Sequence, residues 1–248
     1  STYKNYKVPP LGAKENNMQY LGGKSKIAKV LVPYLEKQRD KEQVFIEPFV
    51  GGANIVSKMG GVRYAYDFNE YLMEMYKGVQ NGYELPTIIT EEQYKHIKNN
   101  KDEDKVLTGF VGFGCSFAGK WFGGYARNAQ NKNYCLTSKN SLLKKMSTMN
   151  DVIFEWKNYL DLNPIGALIY CDPPYQNTTK YTGTPNFDSE EFWNVMRKWS
   201  KDNKVFISEY QAPDDFECVL EIPTSTSIRD KDGNVCKRIE KLFKYKGE

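Results

Sequence analysis

VFIEPFVGGANIV, residues 44–56, opens on a short apolar run, meets Pro48, and then turns on the pair Gly51-Gly52. Residues 44–47 read as a buried strand, which Pro48 stops because proline has no N–H for the ladder. The glycines then turn the chain into a short helix expected over 53–59. YAYD (64–67) reads as a second strand and 69–80 as a second helix. Strand, glycine turn, helix, strand and helix in that order predict a parallel sheet of the α/β class. In such sheets ligands lie beyond the carboxyl ends of the strands. A small polar ligand would there meet Glu47, the Pro48 and Phe49 backbone, and Gly51 and Gly52. The second strand ends at Asp67, in the usual place for a carboxylate that accepts ribose hydroxyls. Together these features point to a nucleoside-type cofactor.

Upstream, 25–36 predicts a helix with Ile27, Val30, Leu31 and Leu35 on one face, bent or ended by Pro33. Before it, YLGGKSKIA (20–28) carries the Gly-Lys-Ser tail of a phosphate loop. Met18 stands where that loop needs its first glycine, and KENNMQ is no strand, so a nucleotide triphosphatase is excluded. The glycines still allow close backbone approach, with Lys24 facing a ligand at the helix start.

Downstream, ALIYCDPPYQN (167–177) is a continuous apolar run, expected to be buried on both faces, that ends in Cys171-Asp172-Pro173-Pro174-Tyr175. Two prolines end the ladder and leave the Asp172 carboxylate and the Pro173 carbonyl as neighbouring acceptors. With the face of Tyr175 nearby, the set suits a planar ring bearing an NH2 group. A rigid turn is the plainer alternative. Thr90 and Gln93 form a capping box, and a second helix start falls at Asp188, with Phe187 and Phe192 as its staple. A helix is expected over 139–149. Further strands are expected over 152–154, 205–208, 218–222 and 239–245.

The 248 residues hold 40 % apolar and 27 % charged side chains, a balance that gives a normal core and excludes a disordered chain. No apolar run nears the roughly 20 residues of a membrane span. The first residues have no apolar signal-peptide core, and a start at Ser1 fits loss of an initiator Met. Five cysteines without CxxC spacing speak against a disulfide framework or a zinc site and favour a reducing cytosol. The single histidine, His96, cannot build a two-histidine metal site and reads as part of a polar helix surface. Net charge is +4, yet 105–150 holds seven basic residues and no Asp or Glu, so that segment carries the whole positive excess. Within it, GFVGFGCSFAGKWFGGYARN (109–128) interleaves glycines, aromatics and bases. It reads either as a nucleic-acid contact or as a solvated glycine-rich loop.

Three motifs, in order, resemble those of the amino-group DNA methyltransferases of the adenine-N6 family, the Dam-like D12 class of bacteria and phages. Tyr20-Leu-Gly-Gly-Lys24 is similar to the family's N-terminal element, with Tyr20 in place of its tryptophan. Glu47-Pro-Phe-Val-Gly-Gly52 is similar to its cofactor motif, with Asp67-Phe-Asn69 as the ribose element. Asp172-Pro-Pro-Tyr175 is similar to its catalytic tetrapeptide. The resemblance spans about 18–210. It implies a Rossmann-like seven-stranded S-adenosyl-L-methionine-dependent methyltransferase sheet with an inserted target-recognition domain. Residues 1–74 and 151–248 would form the catalytic domain and 75–150 the insert. The implied activity moves a methyl group from S-adenosyl-L-methionine to N6 of a flipped-out adenine in duplex DNA.

By the same resemblance Asp172, Pro173, Pro174 and Tyr175 are catalytic. Tyr20, Lys24, Glu47, Pro48, Phe49, Gly51, Gly52, Asp67 and Asp172 bind the cofactor. Lys120, Arg127, Lys132 and Lys139 hold phosphates, and Trp121 or Tyr125 enters a groove or fills the hole left by the flipped base. Cys171 is read as a buried strand residue rather than a nucleophile. The expected partner is double-stranded DNA, with a restriction endonuclease as a possible second partner, and with no metal or membrane. The expected setting is the cytoplasm of a bacterial cell, phage-infected or not. The alternatives are cytosine N4, an RNA base, or a catalytically silent DNA-binding relative.

Overall fold

The structure, a computed structural model, describes residues 23–127, 129–174, 187–229 and 231–247, without the side chains of 23–25, 225–229 and 235–238. Tyr20, Tyr175, the irregular stretch expected over 1–19 and the side chain of Lys24 lie outside the described residues. The elements are α1 (Gly23–Gln38), β1 (Phe45–Glu47), β2 (Arg63–Asp67), α2 (Glu70–Gln80), α3 (Glu91–Asn99), α4 (Lys105–Gly114), α5 (Tyr134–Met146), β3 (Ile153–Trp156), β4 (Leu168–Cys171), α6 (Ser189–Trp199), β5 (Lys204–Glu209), β6 (Phe216–Arg229) and β7 (Val235–Tyr245).

The strands form one seven-stranded sheet in the order β3-β2-β1-β4-β5-β7-β6. The first five are mutually parallel, and β7 lies antiparallel to both β5 and β6. This is the doubly wound Rossmann-like order with an antiparallel strand slipped in next to β5. Alternation along the strands divides the core in two. Leu168, Tyr170 and Phe206 face α1 and α2 together with Leu31, Leu72 and Tyr76. Ile169, Cys171, Val205 and Ile207 face α6 with Phe192, Trp193 and Met196. All four residues of β4 are buried, as its unbroken apolar run requires.

Several elements depart from the sequence reading: β6 and β7 are longer than the expected 218–222 and 239–245, and four others differ in extent or kind. Helix α1 runs through Pro33, which is exposed, because Ala28, Leu31 and Leu35 bury the helix on both sides of it. The helix expected over 53–59 is only a 3-10 turn, Val56–Lys58, because Ala53 takes the left-handed φ of 58°. Helix α5 starts at Tyr134 rather than 139, since Asn133 caps it through the Leu136 N–H at 3.0 Å. Finally α4 occupies the stretch whose glycines suggested a loop. A Cβ at Gly109 would stand 2.1 Å from the Tyr71 carbonyl oxygen, and one at Gly112 2.3 Å from the ring of Trp121. These glycines let α2 and the Trp121 indole lie against α4.

The helix starts at Thr90 and Asp188 are as read. Thr90 and Gln93 make both bonds of the capping box. Asp188 accepts from the Glu191 N–H at 3.1 Å, and the Phe187 and Phe192 rings sit 5.4 Å apart. The helices α3 to α5 lie between α2 and β3 in the chain, and β3 is the edge strand beside β2.

Candidate active site at the carboxyl edge of the sheet

Strand order reverses between β1 and β4, and the crevice beyond that reversal is where open α/β sheets bind ligands. The register places Phe45 beside both Arg63 and Leu168. Glu47 therefore ends the central strand, with Asp67 at the end of one neighbour and Asp172 just past the end of the other. Three carboxylates remote in sequence thus line one edge.

The loop after β1 is held from several sides. Glu47, which is buried, accepts the Val56 N–H at 2.9 Å. Val50 N–H donates to the Tyr66 carbonyl at 2.9 Å. Gly51, at a left-handed φ of 48°, donates its N–H to Asp67 Oδ2 at 3.0 Å and accepts the Tyr76 hydroxyl at 2.7 Å. Asp67 Oδ1 accepts the Asn69 N–H at 2.9 Å. Burial raises the Asp67 carboxyl, and the N–H groups of Asn69, Gly51 and Phe68 pull it back down. Each carboxylate oxygen has two lone pairs, so Asp67 retains room for a hydroxyl donor. Lys145, from α5, donates to the Gly52 carbonyl at 2.7 Å and to Asn54 Oδ1 at 2.9 Å. Sequence reading missed Lys145 because its partners lie about 90 residues away.

On the other side of the crevice Asp172 is partly buried, Pro173 buried and Pro174 partly buried. Beneath them the Tyr170 hydroxyl and Ser208 Oγ share a hydrogen bond of 2.6 Å, tying β4 to β5. Cys171 is fully buried and its thiol is pushed well above the ordinary range by burial, with Glu47 and Asp172 adding to the effect. It is a packing residue. Pro48 is buried, and the Phe49 ring packs on Tyr159 at 5.0 Å in the α6 core, so Phe49 offers the crevice its backbone.

The stretch from α3 to α5 carries the remaining candidates. Ser116 and Tyr125 form an antiparallel bridge, Phe117 N–H donates to the Gly124 carbonyl at 2.7 Å, and Ala126 N–H donates to the Cys115 carbonyl at 2.9 Å. The segment 115–126 is therefore a small hairpin. Lys120, Arg127 and Lys132 are exposed, Arg127 paired with Glu91 and Lys132 lying over the Tyr134 ring at 5.2 Å. Lys139 instead donates to the Leu85 carbonyl at 2.7 Å. Trp121 and Tyr125 are half-buried, Trp121 stacked on Tyr71 and Tyr125 donating to the Ile89 carbonyl at 2.6 Å. The ring that the hairpin exposes is Phe117, 63 % accessible, which the sequence reading quoted but did not single out.

His96 lies on the exposed face of α3 with its Nε2 2.7 Å from Glu103. Cys115, Cys135, Cys171 and Cys218 are free thiols. Among the described residues no group of three potential metal-ligating side chains occurs, and no helix is long and apolar enough to cross a membrane.

Comparison with curated proteins gives no match. The family model for the D12 class N6 adenine-specific DNA methyltransferases matches residues 20–110 and 116–235. The two matched segments take in the loop after β1, most of α3 to α5, and β4 with Asp172. The chain belongs to the D12 class of N6 adenine-specific DNA methyltransferases.

Proposed function

We propose that S-adenosyl-L-methionine is the methyl donor of this DNA adenine-N6 methyltransferase and that the residues along the carboxyl edge divide the work. The observation that carries the reading is the placement of Asp67 and Asp172 on either side of the Glu47 loop, at the reversal of strand order. The donor's ribose hydroxyls and amine need carboxylate and carbonyl acceptors, and this edge is built of both. Asp67 accepts ribose hydroxyls. Glu47, Pro48, Gly51 and Gly52 shape the loop against the donor, and the family resemblance adds Tyr20 and Lys24 to the donor's contacts. When bound, S-adenosyl-L-methionine supplies an electrophilic methyl group.

The chain's own part is to present the target amine. Asp172 and the Pro173 carbonyl accept the two N6 hydrogens, Pro174 holds that backbone rigid, and Tyr175 stacks on the ring. Both acceptors draw electron density towards N6 and aim its lone pair, and such fixed alignment supplies of order 7–11 kcal/mol in favourable cases. Adenine N6 is engaged in pairing inside a duplex, so the base must first leave the stack. Helices α3 to α5 and the 115–126 hairpin, within 75–150, form the DNA-recognition region. Lys120, Arg127 and Lys132 meet phosphates there, and Phe117, rather than the packed Trp121 or Tyr125, offers a ring to the bases. Free thiols suit the reducing cytoplasm of a bacterial cell, and a restriction endonuclease reading the same site is a fitting second partner.

The test is incubation of the protein with methyl-labelled S-adenosyl-L-methionine and unmethylated duplex DNA, followed by nucleoside mass spectrometry. Label in N6-methyladenine is the expected result. Absence of label, with no binding of the donor in calorimetry, would remove the donor assignment, and label in N4-methylcytosine would move the target.

A further inference from the structure

Lys145 stands in the last turn of α5, the helix that closes the insert. Its ammonium reaches out of the insert to the Gly52 carbonyl and Asn54 Oδ1, both on the loop that follows β1. The neighbouring Gly51 is held from α2 by the Tyr76 hydroxyl and from β2 by Asp67. The Gly52 and Asn54 end of the loop is thus held by a cation supplied from α5. We infer that Lys145 is a positioning residue for the methyl donor, holding the 50–54 loop in its binding shape and linking donor affinity to the seating of the insert. The inference rests on the S-adenosyl-L-methionine reading and deepens it.

A purely structural role explains the lysine poorly. Taking an ammonium out of water is costly, and an apolar side chain of similar size would pack α5 against the loop without that cost. The charged groups acting on it are Lys58, from the 3-10 turn after the loop, and Glu47, at the end of β1. Burial first, and Lys58 second, push its pKa down to about 8, against the pull of Glu47. Its charge is therefore lost a little above neutral pH. Bonds from a charged donor are about twice as strong as those from a neutral one, so the loop loosens as the proton leaves.

The experiment is calorimetric titration of S-adenosyl-L-methionine into the full chain without DNA, at pH 7 and pH 9. It is run on wild type, Lys145→Met, Lys145→Arg and Asn54→Leu, with steady-state kinetics alongside. At pH 7, Lys145→Met should bind about tenfold more weakly, from the loss of two charge-assisted bonds, while turnover at saturating donor stays within about twofold. Wild type should weaken several-fold between pH 7 and 9, Lys145→Met should not, and Lys145→Arg should hold its affinity at pH 9. Asn54→Leu removes one acceptor and should weaken binding by a smaller factor, which keeps the inference testable if Lys145→Met fails to fold. A folded Lys145→Met with wild-type affinity, or with the wild-type pH dependence, overturns the inference and leaves the donor assignment standing. No binding by wild type at either pH overturns both.

Discussion

Asp172 stands partly buried just past the end of β4 and is followed by Pro173 and Pro174, which fix the backbone there. Asp172→Ala is expected to lower methyl transfer more than about a hundredfold, the usual cost of a lost polar contact in the transition state. DNA affinity should stay within a few fold in a gel-shift assay, and a variant keeping more than a tenth of the rate would refute the assigned role. Lys145 makes a second prediction, in which stability and donor affinity move in opposite directions. Its folded pKa of about 8 lies below the ordinary lysine value of roughly 10.4. Between those values the unfolded chain keeps a proton that the folded chain has shed, so this group adds stability as pH rises. The melting temperature of wild type relative to Lys145→Met should therefore climb from pH 8 to pH 10 while the donor binds less well. A flat difference would mean that the surroundings of Lys145 do not hold its pKa down.

Helix α4 shows how composition misleads at the scale of an element. Gly109, Gly112 and Gly114 in ten residues suggest a loop, yet Asp104 caps the helix through the Leu107 N–H at 3.0 Å, and Phe110 and Val111 are fully buried in the core. Low intrinsic propensity is overcome by tertiary packing that only glycine permits. Gly109→Ala would force a Cβ into the Tyr71 carbonyl oxygen. It should destabilise the protein by about 1–3 kcal/mol, lowering the melting temperature by about 2–4 °C per kcal/mol. An unchanged melting temperature would show that α2 can back away. Thr90→Ala at the start of α3 should cost about 1 kcal/mol, from the lost cap alone. The strands show the opposite case. The unbroken apolar run of β4 was legible because a strand covered on both faces needs no polar side. The length of β6 was not, because a register shift near Cys218 and Leu220 breaks its alternation.

On the whole molecule, the seven bases of the acid-free segment divide by exposure. Lys105, Lys139 and Lys145 are partly buried, the first paired with Glu70 at 2.6 Å and the other two holding carbonyls, whereas Lys120, Arg127, Lys132 and Lys144 are exposed, Arg127 beside Glu91. Lys120→Ala with Arg127→Ala should flatten the salt dependence of DNA binding by roughly two phosphates' worth. Lys139→Ala should leave that slope alone and lower stability instead, and equal slopes for both variants would contradict the division. Phe117→Ala should weaken DNA binding by about tenfold, within the range for loss of one stacked ring. The sequence alone determined the α/β class, the strand ends at Glu47 and Asp67, the strand that stops before Asp172, the helix caps at Thr90 and Asp188, and the family, because each rests on local pattern or on contiguous motifs. Tertiary structure alone decided the strand order that sets Glu47 between Asp67 and Asp172, that Phe49, Trp121 and Tyr125 spend their rings on packing, and that Lys145 reaches the loop after β1. These are matters of strand order and of contacts between residues far apart in the chain, and no local spacing encodes them.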